Sequence, residues 1–128
     1  MKILGIGIDI IKNKRVQNLI DNKKFIKRTF GTNELKYSKK TRNKINYFAK
    51  RFAAKEAFAK SLGTGFRNNL NFKDIEILND KVGKPYYSKS KKINNIIDKK
   101  FKIKNYKLFL SISDEKDYSV AFTILQSK

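Results

Sequence analysis

The sequence predicts an α+β fold, with an antiparallel sheet packed on one long helix and shorter helices around it. Three observations carry this. An apolar, glycine-containing strand opens the chain at Ile3–Ile10. An alanine-rich stretch with helical periodicity runs from Ile45 to Leu62. Two alternating segments, Lys107–Ser113 and Tyr118–Leu125, close the chain around a short charged turn. The 128 residues fit a single domain, 1–128, with room for one core.

In the first strand, Leu4, Ile6, Ile8 and Ile10 share one face, and Gly5, Gly7 and Asp9 share the other. The strand reads as buried. Its two glycines leave the second face open to close approach by a ligand or by backbone. A short helix is expected over residues 11–21 and another around 22–30. Thr32 is placed to cap a short helix running through Lys39. Lys39–Lys44 is polar and basic and reads as a loop. In the long helix Ile45, Phe48, Phe52, Ala59 and Leu62 recur near helical spacing. Gly63 ends it, and Thr64-Gly65 continues the turn. Asp74–Leu78 alternates as a strand, Asn79–Gly83 is a turn, and Pro85–Ser88 begins another strand. Residues 90–101 read as a helix with Ile93, Ile96 and Ile97 on one side. Asp114-Glu115-Lys116-Asp117 joins the last two strands as a hairpin. No repeat or linker interrupts this order.

The chain has no Cys and no His. Disulfides, thiolate zinc sites, thiol nucleophiles and Ser-His or Cys-His pairs are therefore excluded. A metal would have to sit on carboxylates and phosphate oxygens, which points to magnesium. Acid–base work falls to Asp, Glu, Lys, Tyr or water. The net charge of +20 calls for an anionic partner. Most of that charge is Lys spread along the whole chain, a bias an AT-rich coding sequence also produces, so it specifies no partner by itself. No apolar run approaches a membrane span, and MKILGIGIDI is too short an apolar run for a signal peptide. A cytoplasmic protein is expected.

Glu56 and Lys60 lie four apart and share a helix face, with Arg51 and Lys55 on a neighbouring stripe. On spacing alone, an ordinary solvated ion pair explains Glu56 and Lys60. Asp9 ends an apolar strand, where a carboxylate needs a partner. It serves equally as a helix cap or as one carboxylate of a metal site. Two carboxylates from separate elements, completed by substrate phosphates, are the usual way a protein holds magnesium. Gly63-Thr64-Gly65 lacks P-loop spacing, and Gly83-Lys84-Pro85 is by itself a turn entering a strand.

Taken together, four segments resemble the holo-acyl-carrier-protein synthases, a family of 4′-phosphopantetheinyl transferases. They are Gly5-Ile6-Gly7-Ile8-Asp9-Ile10 with Arg15 following, and Arg51-Phe52-Ala53-Ala54-Lys55-Glu56-Ala57-Phe58-Ala59-Lys60 running into Leu62-Gly63-Thr64-Gly65. Next come Asp74-Ile75-Glu76-Ile77 with Gly83-Lys84-Pro85, and Ser111-Ile112-Ser113 with Lys116-Asp117-Tyr118. All four stand in family order and span nearly the whole chain; the second is the specific one. The resemblance implies the 4′-phosphopantetheinyl transferase fold and magnesium held by Asp9, Glu56 and the coenzyme A pyrophosphate. It implies that Lys60 binds phosphate, with Glu56 and Lys60 as the catalytic pair. Arg51, Gly65, Gly83, Lys84 and Pro85 would lie along the nucleotide part of coenzyme A. Arg15, Lys24 and Arg28 would receive an acidic acyl carrier protein. The family works in fatty acid biosynthesis and is typically a homotrimer with sites between subunits.

Two positions depart from the family. Asp114 stands where a His often follows Ser-x-Ser, so an acid would repel a phosphate there. Lys12 stands where an acid is common. The general base stays open between Glu56 and metal-bound water, with Glu34 a remote candidate. The competing reading is a small basic nucleic-acid-binding module with Tyr and Phe for stacking. Against it, the chain has no RNP-like, helix-turn-helix or KH signature.

Overall fold

Alanine sets the architecture. A computed structural model describes all residues, Met1–Lys128. Its long helix, α4 (Lys44–Leu62), carries Ala49, Ala53, Ala54, Ala57 and Ala59, each at most 1% exposed. Small side chains let this helix lie close against a three-stranded antiparallel sheet. That sheet is ordered β1 (Ile3–Lys12), β5 (Tyr118–Ser127), β4 (Tyr106–Asp114). Around it stand α1 (Asn13–Gln17), α2 (Lys23–Thr29), α3 (Thr32–Ser38) and α5 (Lys91–Phe101). A separate two-stranded hairpin pairs β2 (Ile77–Asn79) with β3 (Pro85–Tyr87). The predicted α+β class and the long helix are observed.

β1 turns its glycine face, not its isoleucine face, to the helix. A Cβ on Gly7 would stand 1.8 Å from the Ala57 carbonyl oxygen, and one on Gly5 1.8 Å from that of Ser61. Only glycine permits that approach. Gly7 pairs with Thr123 and Asp9 with Ala121 in the β1–β5 register. Thr123, Ala121 and Leu125 are buried on the same side. Ile6, Ile8 and Ile10 point away and are 59–62% exposed. The expected buried strand is therefore covered on one side only, and the glycines serve approach by backbone.

Several boundaries differ from expectation. β1 continues to Lys12, because its partner continues to pair, Lys12 opposite Tyr118. The helix expected over 11–21 shrinks to α1. Asn13 starts it, and its side chain donates to the carbonyls of Glu115 and Lys116 and accepts from Ser119 Oγ. Thr32 opens α3 rather than capping it. Glu34 Oε1 accepts from the Gly31 amide at 3.0 Å, and Glu76 Oε2 accepts from the amides of Asn33 and Glu34. Those carboxylates satisfy the amides a Thr cap would have met. Asp74, expected at a strand start, lies in a 3-10 turn, Phe72–Asp74, where it accepts from the Asn71 amide and from Lys92 Nζ. Gly63 ends α4 in the left-handed conformation (φ 80°), as its position predicts.

Candidate active site

The glycine face of β1 carries Asp9 against α4, where Glu56 and Lys60 follow one another by one turn. Lys60 Nζ donates to Asp9 Oδ1 at 3.2 Å and to the Ile8 carbonyl at 2.9 Å. The Lys60 side chain is half exposed, so this contact is a weak ion pair energetically. Glu56 is half-buried, and its carboxyl is raised above the ordinary range. Burial is the main cause and the Asp9 charge the second, while Lys60 and Arg15 pull the other way. Two carboxylates thus stand close enough to oppose each other's ionisation, which is the electrostatic setting of a cation site. Arg15, expected only at the carrier surface, also bears on this centre.

Arg51 leaves α4 on a different side, five residues before Glu56 and so roughly 140° around the axis. It is buried. Its guanidinium lies 3.7 Å from the Tyr47 ring centroid, Nη2 donates to Asn79 Oδ1 at 2.6 Å and Nη1 to the Tyr47 carbonyl. Its Nε is buried without a partner. Arg51 lines a cleft of about 350 Å³ with Tyr37, Thr41, Lys50 and Leu78. Asn79 Nδ2 donates in turn to the Gly83 carbonyl, and the Lys84 amide donates to Asp80 Oδ1. Arg51 is thereby tied to the turn that holds Gly83 (φ 88°), Lys84 and Pro85. Gly65 (φ 65°) has no atom within 4 Å of where a Cβ would stand, so a ligand can approach its Cα, while its amide donates to the Ala59 carbonyl.

The site residues therefore form two groups. Asp9, Glu56 and Lys60 converge, with the Arg15 charge acting on them from α1; Arg51, Gly83, Lys84 and Pro85 converge separately. Lys24 and Arg28 are exposed on α2. Arg28 borders an apolar cleft of about 620 Å³ lined by Phe25, Phe52, Phe66 and Phe72. Asp114 ends β4 and accepts from Asn46 Nδ2 at 2.8 Å. Glu34 is wholly inaccessible and paired with Lys55, which excludes it as a base for an incoming substrate. Sequence reasoning missed Asn79 and the Glu34–Lys55 pair. The first has no pattern of its own. The second joins residues 21 apart, beyond the reach of any helical spacing.

The family described as the 4′-phosphopantetheinyl transferase superfamily matches residues 5–123. A holo-[acyl-carrier-protein] synthase of Pelagibacter ubique is 57% identical over 128 residues, covering 100% of both chains. One from Clostridium tetani is 46% identical over 98% of both. Among solved structures, the Neisseria meningitidis synthase aligns with TM-score 0.88 at 37% identity, covering 98% of this chain and 99% of its own. The Bacillus anthracis synthase in complex with CoA (3′,5′-ADP) aligns with TM-score 0.83 at 36% identity over 100% of both chains. The two convergent groups thus sit on a fold and a sequence shared end to end with these enzymes, and the chain belongs to the holo-[acyl-carrier-protein] synthases of the 4′-phosphopantetheinyl transferase superfamily.

Proposed function

We propose that this chain transfers 4′-phosphopantetheine from coenzyme A to a serine of an apo-acyl carrier protein, releasing 3′,5′-ADP. The observation that carries it is the convergence of Asp9, Glu56 and Lys60 in a chain 57% identical along its whole length to a holo-[acyl-carrier-protein] synthase.

The donor set suits magnesium. Asp9 and Glu56 come from separate elements, and no third His, Cys, Asp or Glu joins them. Such a site takes its remaining ligands from water and substrate phosphates, as magnesium prefers. Asp9 and Glu56 would hold the ion, which when bound supplies positive charge to the phosphoryl oxygens and the leaving group. Lys60, one turn beyond Glu56, stabilises charge developing on the same oxygens as the carrier serine attacks the β-phosphate. No covalent enzyme nucleophile is required. The serine proton passes to Glu56 or to water.

Arg51, tied through Asn79 to the Gly83 turn, and the uncrowded Cα faces of Gly65 and Gly83 suit the nucleotide part of coenzyme A, with Lys84 and Pro85 alongside. Arg15, Lys24 and Arg28 present positive charge for an acidic carrier protein. In one chain the Arg51 group and the Asp9 group leave α4 on different sides, and Ile6, Ile8, Ile10, Phe109 and Phe122 form an uncovered apolar sheet face. Both features suit a homotrimer whose sites lie between subunits. No helix is long and apolar enough to cross a membrane. The same reading assigns the reaction to fatty acid biosynthesis in the cytoplasm.

The test is Glu56→Gln, an isostere on a half-exposed helix face. Transfer of the arm, read as a mass gain on an apo-carrier protein mixed with coenzyme A and magnesium, falls ~100-fold or more. The circular dichroism stays that of the wild type. Wild-type turnover in this variant removes the metal assignment. No transfer by the wild type, with tight salt-sensitive RNA or DNA binding, favours the nucleic-acid module instead.

A further inference from the structure

Glu34 and Lys55 are assigned no part in the transfer, yet they are the most deeply buried charges in the molecule, both with side chains 0% exposed. Lys55 Nζ donates to Glu34 Oε1 at 2.6 Å, to the Phe72 carbonyl at 3.1 Å and to the Ile75 carbonyl. These three bonds use every proton of the ammonium. Glu34 Oε1 also accepts from the Gly31 amide, and Oε2 accepts from the Ile77 amide at 3.0 Å. One ion pair therefore fastens four segments: the entry to α3, the middle of α4, the 3-10 turn and the start of β2.

Two of those segments lead to stretches placed along coenzyme A. The Phe72 ring stacks on Phe66 and Phe52, with centroids 3.9 and 5.3 Å away, so it anchors the far end of the loop that leaves α4 through Gly63 and Gly65. Ile77 opens the hairpin whose next residues are Asn79, the partner of Arg51, and the Gly83 turn. Glu56, the next residue after Lys55, departs from the same helix turn. The pair thus stands at the common root of the Gly65 loop, the Gly83 turn and the Glu56 carboxylate.

Stability is a poor reason for such an arrangement. Desolvating two charges costs about as much as their attraction returns, and buried pairs replaced by apolar residues of similar volume are often no less stable. Burial pulls the Lys55 ammonium below its ordinary range, with Glu34 opposing.

We propose that Glu34 and Lys55 are positioning residues: their buried ion pair presets the Gly65 loop and the Gly83–Pro85 turn relative to Glu56, so that coenzyme A meets a finished surface. This rests on the coenzyme A reading above. Lys55→Met alone leaves a buried carboxylate unpaired and is expected to unfold much of the protein. The informative variant is Glu34→Gln with Lys55→Met, which removes both charges; the one amide oxygen keeps either the Gly31 or the Ile77 bond and the NH2 group replaces the other acceptor. It is expected to melt cooperatively, below the wild-type temperature because buried polar groups lose partners but above that of the assay, with KM for coenzyme A raised about tenfold or more and kcat changed far less. A folded double variant with a wild-type KM overturns the proposal. Arg51→Ala separates the two layers. An unchanged KM there overturns the coenzyme A reading and the proposal with it. A raised KM there, beside a wild-type KM in the double variant, overturns the positioning role alone. Hydrogen exchange on the wild type needs no variant. The hydrogen-bonded amides of Gly65, Gly83 and Lys84 are expected to be protected before coenzyme A is added and little changed after. Protection that appears only with coenzyme A overturns the proposal.

Discussion

β1 alternates cleanly, yet its two faces end in opposite surroundings. Gly5, Gly7 and Asp9 close against α4, while Ile6, Ile8 and Ile10 stay 59–62% exposed in the single chain. Periodicity says which side chains share a face; side-chain size says how near another backbone can come. Glycine on the strand and small residues on the helix bring two backbones into contact. That contact, not the isoleucine stripe, fixes which way the strand faces. The consequence is chemical. Asp9 shares the glycine face, so the same packing that seats β1 carries a carboxylate to Glu56 and Lys60.

The strongest way to break this comparison is to add an atom to the close face. Gly7→Ala puts a Cβ where the Ala57 carbonyl oxygen stands at 1.8 Å, with the Ser61 amide nitrogen at 2.9 Å. Both are helix backbone and cannot swing aside, so β1 and α4 must separate. The expected cost is at or beyond the upper end of the ~1–3 kcal/mol typical of overpacking, read as a lowered urea midpoint. Asp9 moves with the strand, so activity falls further than stability. A wild-type midpoint would mean the close contact is not what seats β1.

The open face is tested next. Ile8 lies opposite Phe122, which lies opposite Ser111, at the centre of the outer sheet surface. Ile8→Lys adds a charge where the single chain exposes that face, so the fold of one 15.0 kDa chain is retained. Where three copies share that face, a buried unpaired charge is costly. If the proposed homotrimer holds, the expected result is a drop in mass by light scattering to that of one chain, with loss of transfer because the proposed shared site would come apart. A fully active single chain would break the shared-site reading.

This contrast also explains what was legible in the sequence. The α+β class, the long helix, Gly63 as its stop and the closing hairpin follow from local patterns, and they are observed. The covered face of β1 was not legible, because two glycines and an acid carry no hydrophobic signal. Nor was the burial of Arg51 and Lys55. Four apart on a helix, they show only as a stripe beside that of Glu56 and Lys60, whereas both are buried because residues far along the chain supply Asn79, Glu34, Phe72 and Ile75 as partners. Asp9 with Glu56 was legible as a pair only through the motifs around them. Their electrostatic proximity needed the fold.

The smallest expected effect concerns the covered side. Tyr87 Oη donates to the Ala54 carbonyl and bonds Thr123 Oγ1 on the inner face of β5, and burial pushes its phenol far up. Burial also raises Tyr106 on β4, and it raises Tyr47 despite the opposing Arg51 charge. In the unfolded chain these phenols lose their protons near pH 10, the ordinary value for a free tyrosine. Above that value the unfolded state binds fewer protons than the native state, so the stability they give is complete below about pH 10 and is lost as pH rises toward their folded values. The mutual repulsion of a chain at +20 adds its own pH dependence to the total. A difference between variants separates the two. Tyr87→Phe is expected to cost about 1 kcal/mol below pH 10, from the lost hydrogen bond, and to close that gap as pH rises. A constant gap would mean Tyr87 titrates alike in both states, and that the inner face of the sheet is wetter than its burial implies.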